Sequence, residues 1–237
     1  SSSSTPAIDR QPAMTGAFVG RGRDCDVFEA GPGRVLRRNR SGGSTEAEAL
    51  TMLHVAAHGY PVPEVFDADG PDIVMQRLDG RTMLDDMTAR PWSMTASART
   101  LAALVERLGQ VPTPDHDLPL VGDGADTLVH LDLHPDNVML TAGGPVVIDW
   151  SNAALGVPGL DAANTWLTLT AGQPDGSALM RSIVAVGRRV FVNRFVAATD
   201  RDLAARQLPA ALELRLCDPN QSPGELAAMR SLVDRVT

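Results

Sequence analysis

The sequence contains no lysine, because its 21 basic residues are all arginines. Any chemistry that ordinarily uses a lysine must therefore be carried by another side chain. Only two cysteines occur, Cys25 and Cys217, and their wide separation forms neither a metal-binding pair nor a redox pair. Since nothing here indicates a disulfide framework, we expect a reducing compartment and a cytoplasmic protein.

The chain also has no long apolar run and no basic leader. No stretch reaches the ~18 apolar residues that a membrane span requires. The Ser-rich start has no basic region followed by an apolar core, as a secretory signal would have. We therefore expect a soluble protein that is neither exported nor held in a membrane.

Positive charge is scarce as well. The 29 acidic and 21 basic side chains give a formal net charge of −8. Such a charge opposes a phosphate backbone, so no nucleic-acid partner is expected. A cationic or neutral partner fits better, although a solvated acidic surface would explain the same charge without any partner.

The length and composition are those of a globular protein. The chain has 237 residues, of which 43% are hydrophobic and 21% charged, so it can bury a core. This length favours one bilobed domain, or two small lobes that share a cleft. Residues 1–12 contain Ser and Pro without periodicity and are expected to form a disordered tail.

Residues 13–79 have the pattern of a small sheet with one helix. Alternating runs on either side of the turn at 31–33 predict an antiparallel hairpin. Apolar residues then recur at helical spacing until Gly59. The apolar runs at 65–66 and 73–75 predict further strands.

Residues 80–237 have a different character. Apolar spacing up to Leu108, with Gly109 as a stop, predicts a helix, and the runs at 138–140 and 146–148 predict a second hairpin. Beyond about residue 161 the pattern is almost entirely helical, and the residues from 222 to 225 form a capping-box sequence. The predicted fold class is α+β.

The most informative stretch runs from residue 130 to residue 137 and reads HLDLHPDN. If the second hairpin forms, Asn137 before its first strand and Asp149 after its second strand lie at the same end. An amide oxygen and a carboxylate suit Mg²⁺ that also binds nucleotide phosphates. Asp132 would then point at the incoming hydroxyl group.

The same stretch allows a second interpretation. His130, Asp132 and His134 alternate, so they could share one face of a strand and hold a metal ion. No further His or Cys with ligand spacing follows, whereas the pairing of Asn137 with Asp149 accounts for more residues. We therefore favour the magnesium site and expect His130 to hold the loop in place.

The run HLDLHPDN, together with VVIDW at 146–150, resembles the catalytic and metal loops of the aminoglycoside phosphotransferase family. This family consists of small-molecule kinases with a protein-kinase-like fold, and the resemblance covers roughly residues 16–165. It implies a two-lobe fold. Residues 13–79 would form an N-terminal nucleotide-binding lobe with a small antiparallel sheet and one helix, and residues 80–237 a mainly α-helical catalytic and substrate-binding lobe.

The resemblance also implies roles for single residues in the C-terminal part. Asp132 would be the catalytic base that orients the acceptor hydroxyl, and Asn137 and Asp149 would bind Mg²⁺. The co-substrate would be ATP or GTP.

In the N-terminal part, Gly20 and Gly22 follow the glycine-loop pattern, with Cys25 in place of the third glycine. Arg37 stands where the family places the strand lysine that contacts the nucleotide phosphates. An arginine is always charged and binds phosphate through a planar fork, so the geometry could differ from that of a lysine.

A helix glutamate would pair with Arg37. Glu46, followed by Leu50 and Leu53, resembles the family's spacing and is favoured. Glu48 is the alternative, since Thr45 and Glu48 also form a capping-box sequence in which Glu48 would serve only the helix end.

The sequence thus predicts a Mg²⁺-dependent phosphotransferase that moves the γ-phosphate of ATP or GTP to a hydroxyl of a small molecule. The favoured acceptor is an aminoglycoside antibiotic, which would make the protein an antibiotic-resistance enzyme. Kinases of amino alcohols, homoserine-like metabolites or sugars share these motifs. A non-catalytic nucleotide-binding scaffold is a different alternative, motivated by Arg37 and Cys25. A protein kinase is disfavoured because the segment after Asp149 is short.

Overall fold

The N-terminal part of the chain folds into an antiparallel sheet with one helix against it. The computed structural model describes residues 16–22, 24–171 and 178–237, so the predicted tail lies outside the described residues. The strands of the sheet are β1 (Phe18–Arg21), β2 (Cys25–Glu29), β3 (Arg34–Asn39), β4 (Val65–Asp69) and β5 (Asp72–Gln76). Their order in the sheet is β1-β2-β3-β5-β4.

The predicted first hairpin is confirmed. Strands β2 and β3 pair antiparallel from Cys25 opposite Asn39 to Glu29 opposite Val35. The turn between them contains Gly31 with φ of 100°, a conformation that glycine adopts without a steric penalty.

Helix α1 (Glu46–Ala57) packs against β4. Its apolar face is buried through Ala49, Met52 and Val55, and the chain leaves the helix through Gly59 with φ of 75°. The hydroxyl of Thr45 does not cap the helix, because it donates instead to the carbonyl oxygens of Gly70 (3.2 Å) and Asp72 (2.9 Å). The start of α1 is therefore tied to the turn between β4 and β5.

The remainder of the described chain is mainly helical. Its helices are α2 (Met83–Ala89), α3 (Met94–Leu108), α4 (Leu160–Ala171), α5 (Ala178–Val196), α6 (Arg201–Leu216) and α7 (Pro223–Val236). Its short strands are β6 (Gly80–Thr82), β7 (Thr127–Val129), β8 (Val138–Thr141), β9 (Gly144–Val147) and β10 (Ala154–Gly156). Strands β6, β8 and β9 form one small sheet, and β7 pairs with β10. Among the described helices, none combines the length and apolar character of a bilayer span.

Helix α4 lies at the centre of the helical part, where it contacts α3, α5, α6 and α7. Every residue from 160 to 167 is buried, as expected for a helix that is covered on all sides. Helix α7 begins with the predicted capping box, in which Ser222 and Glu225 satisfy each other's backbone amides.

The predicted protein-kinase-like α+β fold is confirmed: a small antiparallel sheet with one helix precedes a mainly helical part. The change falls between β5, which ends at Gln76, and α2, which begins at Met83. We propose the same boundary between the two lobes as the sequence analysis gives, at residues 79 and 80.

Candidate active site

The loop from residue 130 to residue 137 connects β7 to β8 and has an unusual backbone. Leu131 has φ of 61°, a left-handed conformation that costs a non-glycine residue of order 1 kcal/mol. Two buried side chains of α4 hold it: Asp161 accepts from the backbone N–H groups of His130 and Leu131 at 2.7 Å each, and Asn164 donates to the Leu131 carbonyl. The packing of α4 therefore fixes the shape of the loop.

His130 joins this loop to the segment after β9. Its ring is fully buried against Trp150, with 4.8 Å between the ring centroids. Its Nε2 lies 3.1 Å from the Ile148 carbonyl, and its Nδ1 accepts from the Asp132 N–H at 3.3 Å, so the ring fits as a neutral Nε2–H tautomer. Burial lowers the pKa of His130. Because both ring nitrogens contact backbone, the alternative His-Asp-His metal cluster is not favoured.

The carboxylate of Asp132 has partners on both oxygens. Oδ1 accepts from a guanidinium nitrogen of Arg215 at 3.1 Å. Oδ2 lies 3.3 Å from Asn137 Nδ2 and 3.5 Å from His134 Nε2. Burial alone would raise the pKa of Asp132, but the hydrogen bond and electrostatic interaction with His134, and the charge of Arg215, outweigh it and place the pKa below its usual range. Asp132 is therefore ionised at neutral pH.

Asn137 and Asp149 lie at the same end of the β8–β9 hairpin, as the sequence predicts. Val138 pairs with Val147, and the Ile148 N–H donates to the Asn137 carbonyl at 3.0 Å. Asp149 has φ of 63°, and its Oδ1 accepts from Arg37 at 3.1 Å. One amide oxygen and one carboxylate are hard oxygen donors of the kind that Mg²⁺ shares with nucleotide phosphates, so the two residues fit this ion.

The ion-pair partner of Arg37 is Glu48 and not Glu46, so the favoured choice was wrong. The guanidinium of Arg37, on β3, bonds to both Glu48 and Asp149. Burial alone would lower the pKa of Arg37, but these two carboxylates outweigh it and raise the pKa. Glu48 is buried whereas Glu46 is exposed, because consecutive helix positions are ~100° apart and two positions turn a side chain to the other face. Glu48 shares the inner face of α1 with Met52, a spacing visible in the sequence.

The two glycines of the predicted loop are placed differently. Gly22 lines the cleft beside Cys25, and its N–H donates to the Cys25 carbonyl at 2.9 Å. A Cβ at Gly22 would lie 2.8 Å from the Cys25 sulfur, so a larger residue would require a shift. Gly20 lies within β1 opposite Val27 and is not among the described residues that line the cleft. Its role with a cofactor stays a prediction.

One cleft of about 830 Å³ lies between the sheet and the loop that contains Asp132. One part of its wall is apolar and comes from the sheet, α1 and the second hairpin, through Val27, Val35, Met52, Met75, Met139 and Ile148. The polar part contains Arg37, Glu48, Asp132, Asn137 and Asp149. Cavities of this size hold drug-sized ligands, with apolar walls for burial and a few polar groups for orientation.

The sequence analysis did not predict that three side chains would hold the loop at 130–137 from behind. Asp161 and Asn164 lie one turn apart on α4, so the sequence shows that they share a face of the helix. It does not show that this face contacts the backbone of residues 130 and 131. Arg215, on α6, gave no local signal because its partners are about 50 to 84 residues earlier in the chain.

Comparisons with known proteins agree with this arrangement. Residues 113–197 match the model of the phosphotransferase enzyme family. Thiamine kinases of Salmonella newport and Salmonella typhi are 32% identical over 91 residues, which are 38% of this chain and 32% of the relative. The chain thus spans about a third of the length of the curated relatives it matches.

Solved structures share the fold over almost the whole chain. An aminoglycoside phosphotransferase APH(4)-Ia mutant in a ternary complex with AMP-PNP and hygromycin B superposes with a TM-score of 0.60 at 17% identity, covering 92% of each chain. A choline/ethanolamine kinase family protein from Mesorhizobium loti has a TM-score of 0.54 at 16% identity and covers 94% of this chain and 88% of that chain. The match over residues 113–197, which include Asp132, Asn137 and Asp149, and the shared fold together confirm the resemblance to the aminoglycoside phosphotransferase family.

Proposed function

We propose that the protein is a small-molecule kinase, which transfers the γ-phosphoryl group of ATP or GTP to a hydroxyl group. The observation that carries the proposal is the meeting of an ionised Asp132, Asn137, Asp149 and the cation Arg37 in one cleft. Phosphoryl transfer requires mainly positioning and charge neutralisation, and these residue types supply both. The match of residues 113–197 to a phosphotransferase family supports the same conclusion.

The base of the nucleotide would occupy the apolar part of the cleft. The apolar side chains of Val35, Met75 and Ile148 suit the faces of a purine base. Arg37 lies at the polar part, where a fixed guanidinium can neutralise phosphate oxygens. ATP and GTP fit these contacts equally, so both belong to the proposal.

Asn137 and Asp149 would hold Mg²⁺ together with the phosphates. Bound there, the ion supplies positive charge to the phosphate oxygens during transfer. Arg37 already contacts Asp149, so it fixes this carboxylate at the boundary between the two parts of the chain.

Asp132 would orient the acceptor. An ionised carboxylate accepts a hydrogen bond from the acceptor hydroxyl and thereby directs the hydroxyl oxygen toward the γ-phosphorus. As the new P–O bond forms and the bond to the bridging oxygen breaks, the hydroxyl proton passes to Asp132. Because the transition state is loose, this proton transfer needs little basicity, and a carboxylate of low pKa suffices.

The charge of the cleft favours a cationic acceptor. Six carboxylates line it against two arginines. The carboxylates are Asp24, Glu48, Asp79, Asp132, Asp136 and Asp149, and the arginines are Arg37 and Arg77. We infer an aminoglycoside-type antibiotic first, since the APH(4)-Ia structure contains hygromycin B. Thiamine, choline or ethanolamine, a homoserine-like metabolite and a sugar are the alternatives, the first three from the names of the relatives.

The test is release of ADP or GDP with Mg²⁺ across a panel of aminoglycosides, thiamine, amino alcohols, homoserine-like compounds and sugars. We expect one class of acceptor to stimulate release and Asp132→Ala to abolish this stimulation while nucleotide still binds. Asp202→Ala, which removes an exposed carboxylate on α6, is the matched control and should behave as the wild type.

Two results would contradict the proposal. If Asp132→Ala keeps wild-type turnover, the assigned base is wrong. If the wild type binds Mg²⁺-nucleotide but transfers phosphate to no member of the panel, the alternative of a non-catalytic nucleotide-binding scaffold gains support. The observation that favours this alternative is the arginine at position 37.

A further inference from the structure

Arg215 is a buried cation that the mechanism above does not use. Its side chain is 10% exposed, and it comes from α6, near the end of the described chain. It is not among the described residues that line the cleft. It therefore contacts Leu131 and Asp132 without lining the cleft itself.

The guanidinium of Arg215 makes a set of bonds that fixes its orientation. Nε donates to Asn164 Oδ1 at 2.8 Å. One terminal nitrogen donates to both the Leu131 carbonyl and Asp132 Oδ1 at 3.1 Å each. Since the five N–H groups of a guanidinium lie in one plane, bonding through Nε and a terminal nitrogen leaves the group no freedom to rotate.

These bonds converge on the residue that sets the direction of Asp132. Leu131 has the left-handed backbone conformation, and its carbonyl accepts from both Asn164 and Arg215. A change in the backbone at Leu131 would turn the next side chain away from the cleft. Arg215 thus holds both the backbone before Asp132 and the carboxylate itself.

The two oxygens of Asp132 face different partners as a result. Oδ1 is bonded to Arg215, and Oδ2 lies beside Asn137 and His134, which both line the cleft. A carboxylate held at one oxygen by a fixed donor has a defined plane, and this defines where the other oxygen can meet a hydroxyl.

We propose that Arg215 is a positioning residue for phosphoryl transfer, which acts through Asp132 and Leu131 and touches neither nucleotide nor acceptor. The inference rests on the proposed function, because it concerns the same carboxylate. It adds that helix α6, the last but one in the described chain, is required for turnover, although none of its described residues lines the cleft.

Kinetics of Arg215→Gln test the inference once an acceptor is known. A misplacement of the reacting group by about 1 Å costs ~100-fold in rate, so we expect kcat to fall by that order. The affinity for Mg²⁺-nucleotide should be unchanged, because Arg215 contacts none of Arg37, Asn137 and Asp149. A general loss of packing would lower both quantities together.

Two further variants make this test specific. Arg215→Lys keeps the positive charge near Asp132, but an ammonium cannot bond to Asn164 and Leu131 in one plane. Its kcat should therefore lie between those of Arg215→Gln and the wild type. If Arg215→Gln does not fold, Arg215→Lys takes its place in the comparison with the wild type. Arg206→Gln removes an exposed arginine of the same helix and should leave kcat unchanged. Wild-type kcat in Arg215→Gln, or a kcat loss matched by lost nucleotide affinity, would overturn the inference.

A double-mutant cycle separates the failure of this inference from the failure of the proposed function. Urea unfolding of Arg215→Gln, Asp132→Asn, the double variant and the wild type requires no acceptor. A coupling of about tenfold or more in the unfolding equilibrium is expected for two bonded groups. If the two variants are coupled but the protein transfers phosphate to no acceptor, the bond between Arg215 and Asp132 is supported and the proposed kinase function is rejected. If their effects on unfolding are additive, the inference is overturned even when the protein is a kinase.

Discussion

At the residue scale, Arg37 stands where the resemblance to the aminoglycoside phosphotransferase family implies a lysine, in a chain that contains none. A single guanidinium meets both Glu48 and Asp149, and so connects β3, α1 and the hairpin that carries the proposed magnesium ligands. An ammonium is a point charge, whereas the fork of an arginine can bond to two carboxylates in fixed directions. The loss of either carboxylate should therefore alter the position of Arg37.

Glu48→Gln should weaken the affinity for Mg²⁺-nucleotide by about 10- to 100-fold, as is usual when a group that orients a binding residue is removed. The matched control is Glu46→Gln, which changes an exposed glutamate of the same helix turn and should leave the affinity unchanged. Calorimetric titration with Mg²⁺ and a non-hydrolysable nucleotide measures both. Equal affinities in the two variants would show that Glu48 does not position Arg37 for phosphate.

At the element scale, a neutral histidine holds the loop from residue 130 to residue 137. His130 has a pKa below its ordinary value because it is buried. The unfolded chain therefore binds a proton more readily than the folded one. The contribution of neutral His130 to the free energy of unfolding is complete above the ordinary pKa of ~6.5 and is lost as the pH falls toward the lower folded value.

The wild type should therefore lose more stability than His130→Gln when the pH is lowered from 7.5 to 5. When a histidine stays neutral only in the folded state, the free energy of unfolding falls by ~1.4 kcal/mol for each pH unit below ~6.5. Between about pH 6.5 and 5, the wild type can therefore lose at most about 2 kcal/mol more than His130→Gln. Urea unfolding at the two pH values gives the result, with His58→Gln at the exposed end of α1 as the control. Parallel losses in wild type and His130→Gln would rule out this role.

The elements also show what the sequence could and could not predict. Both hairpins were predictable, because alternation and glycine turns are local signals, and with the second hairpin came the meeting of Asn137 and Asp149. The partner of Arg37 was predicted wrongly because the sequence shows apolar spacing after both Glu46 and Glu48, and only packing against the sheet decides which face of α1 is buried. The contact between Arg215 and Asp132 joins residues 83 positions apart, and no periodicity or spacing carries that information.

At the scale of the whole molecule, the net charge of −8 has a local counterpart. Six carboxylates line the cleft with two arginines. Arg37 is already paired with Glu48 and Asp149, and Arg77 pairs with Glu29. The cleft therefore attracts cations more strongly than the composition alone requires. Attraction between exposed charges is screened by salt, with a Debye length of ~10 Å at 0.1 M and ~3 Å at 1 M.

The KM for a cationic acceptor should consequently rise with ionic strength, while the KM for a neutral hydroxyl acceptor should not. Electrostatic steering changes association by about tenfold or more over such a range of salt, so a rise of several-fold between about 0.05 and 0.5 M is expected. Steady-state kinetics on paired acceptors, one aminated and one its neutral analogue, measure the contrast. Asp136→Asn, which removes one carboxylate from the cleft wall, should reduce the salt dependence because less attraction remains to be screened. A KM that is independent of salt for both acceptors would mean that the acidic cleft does not select the acceptor, and that shape and hydrogen bonding near Asp132 select it instead.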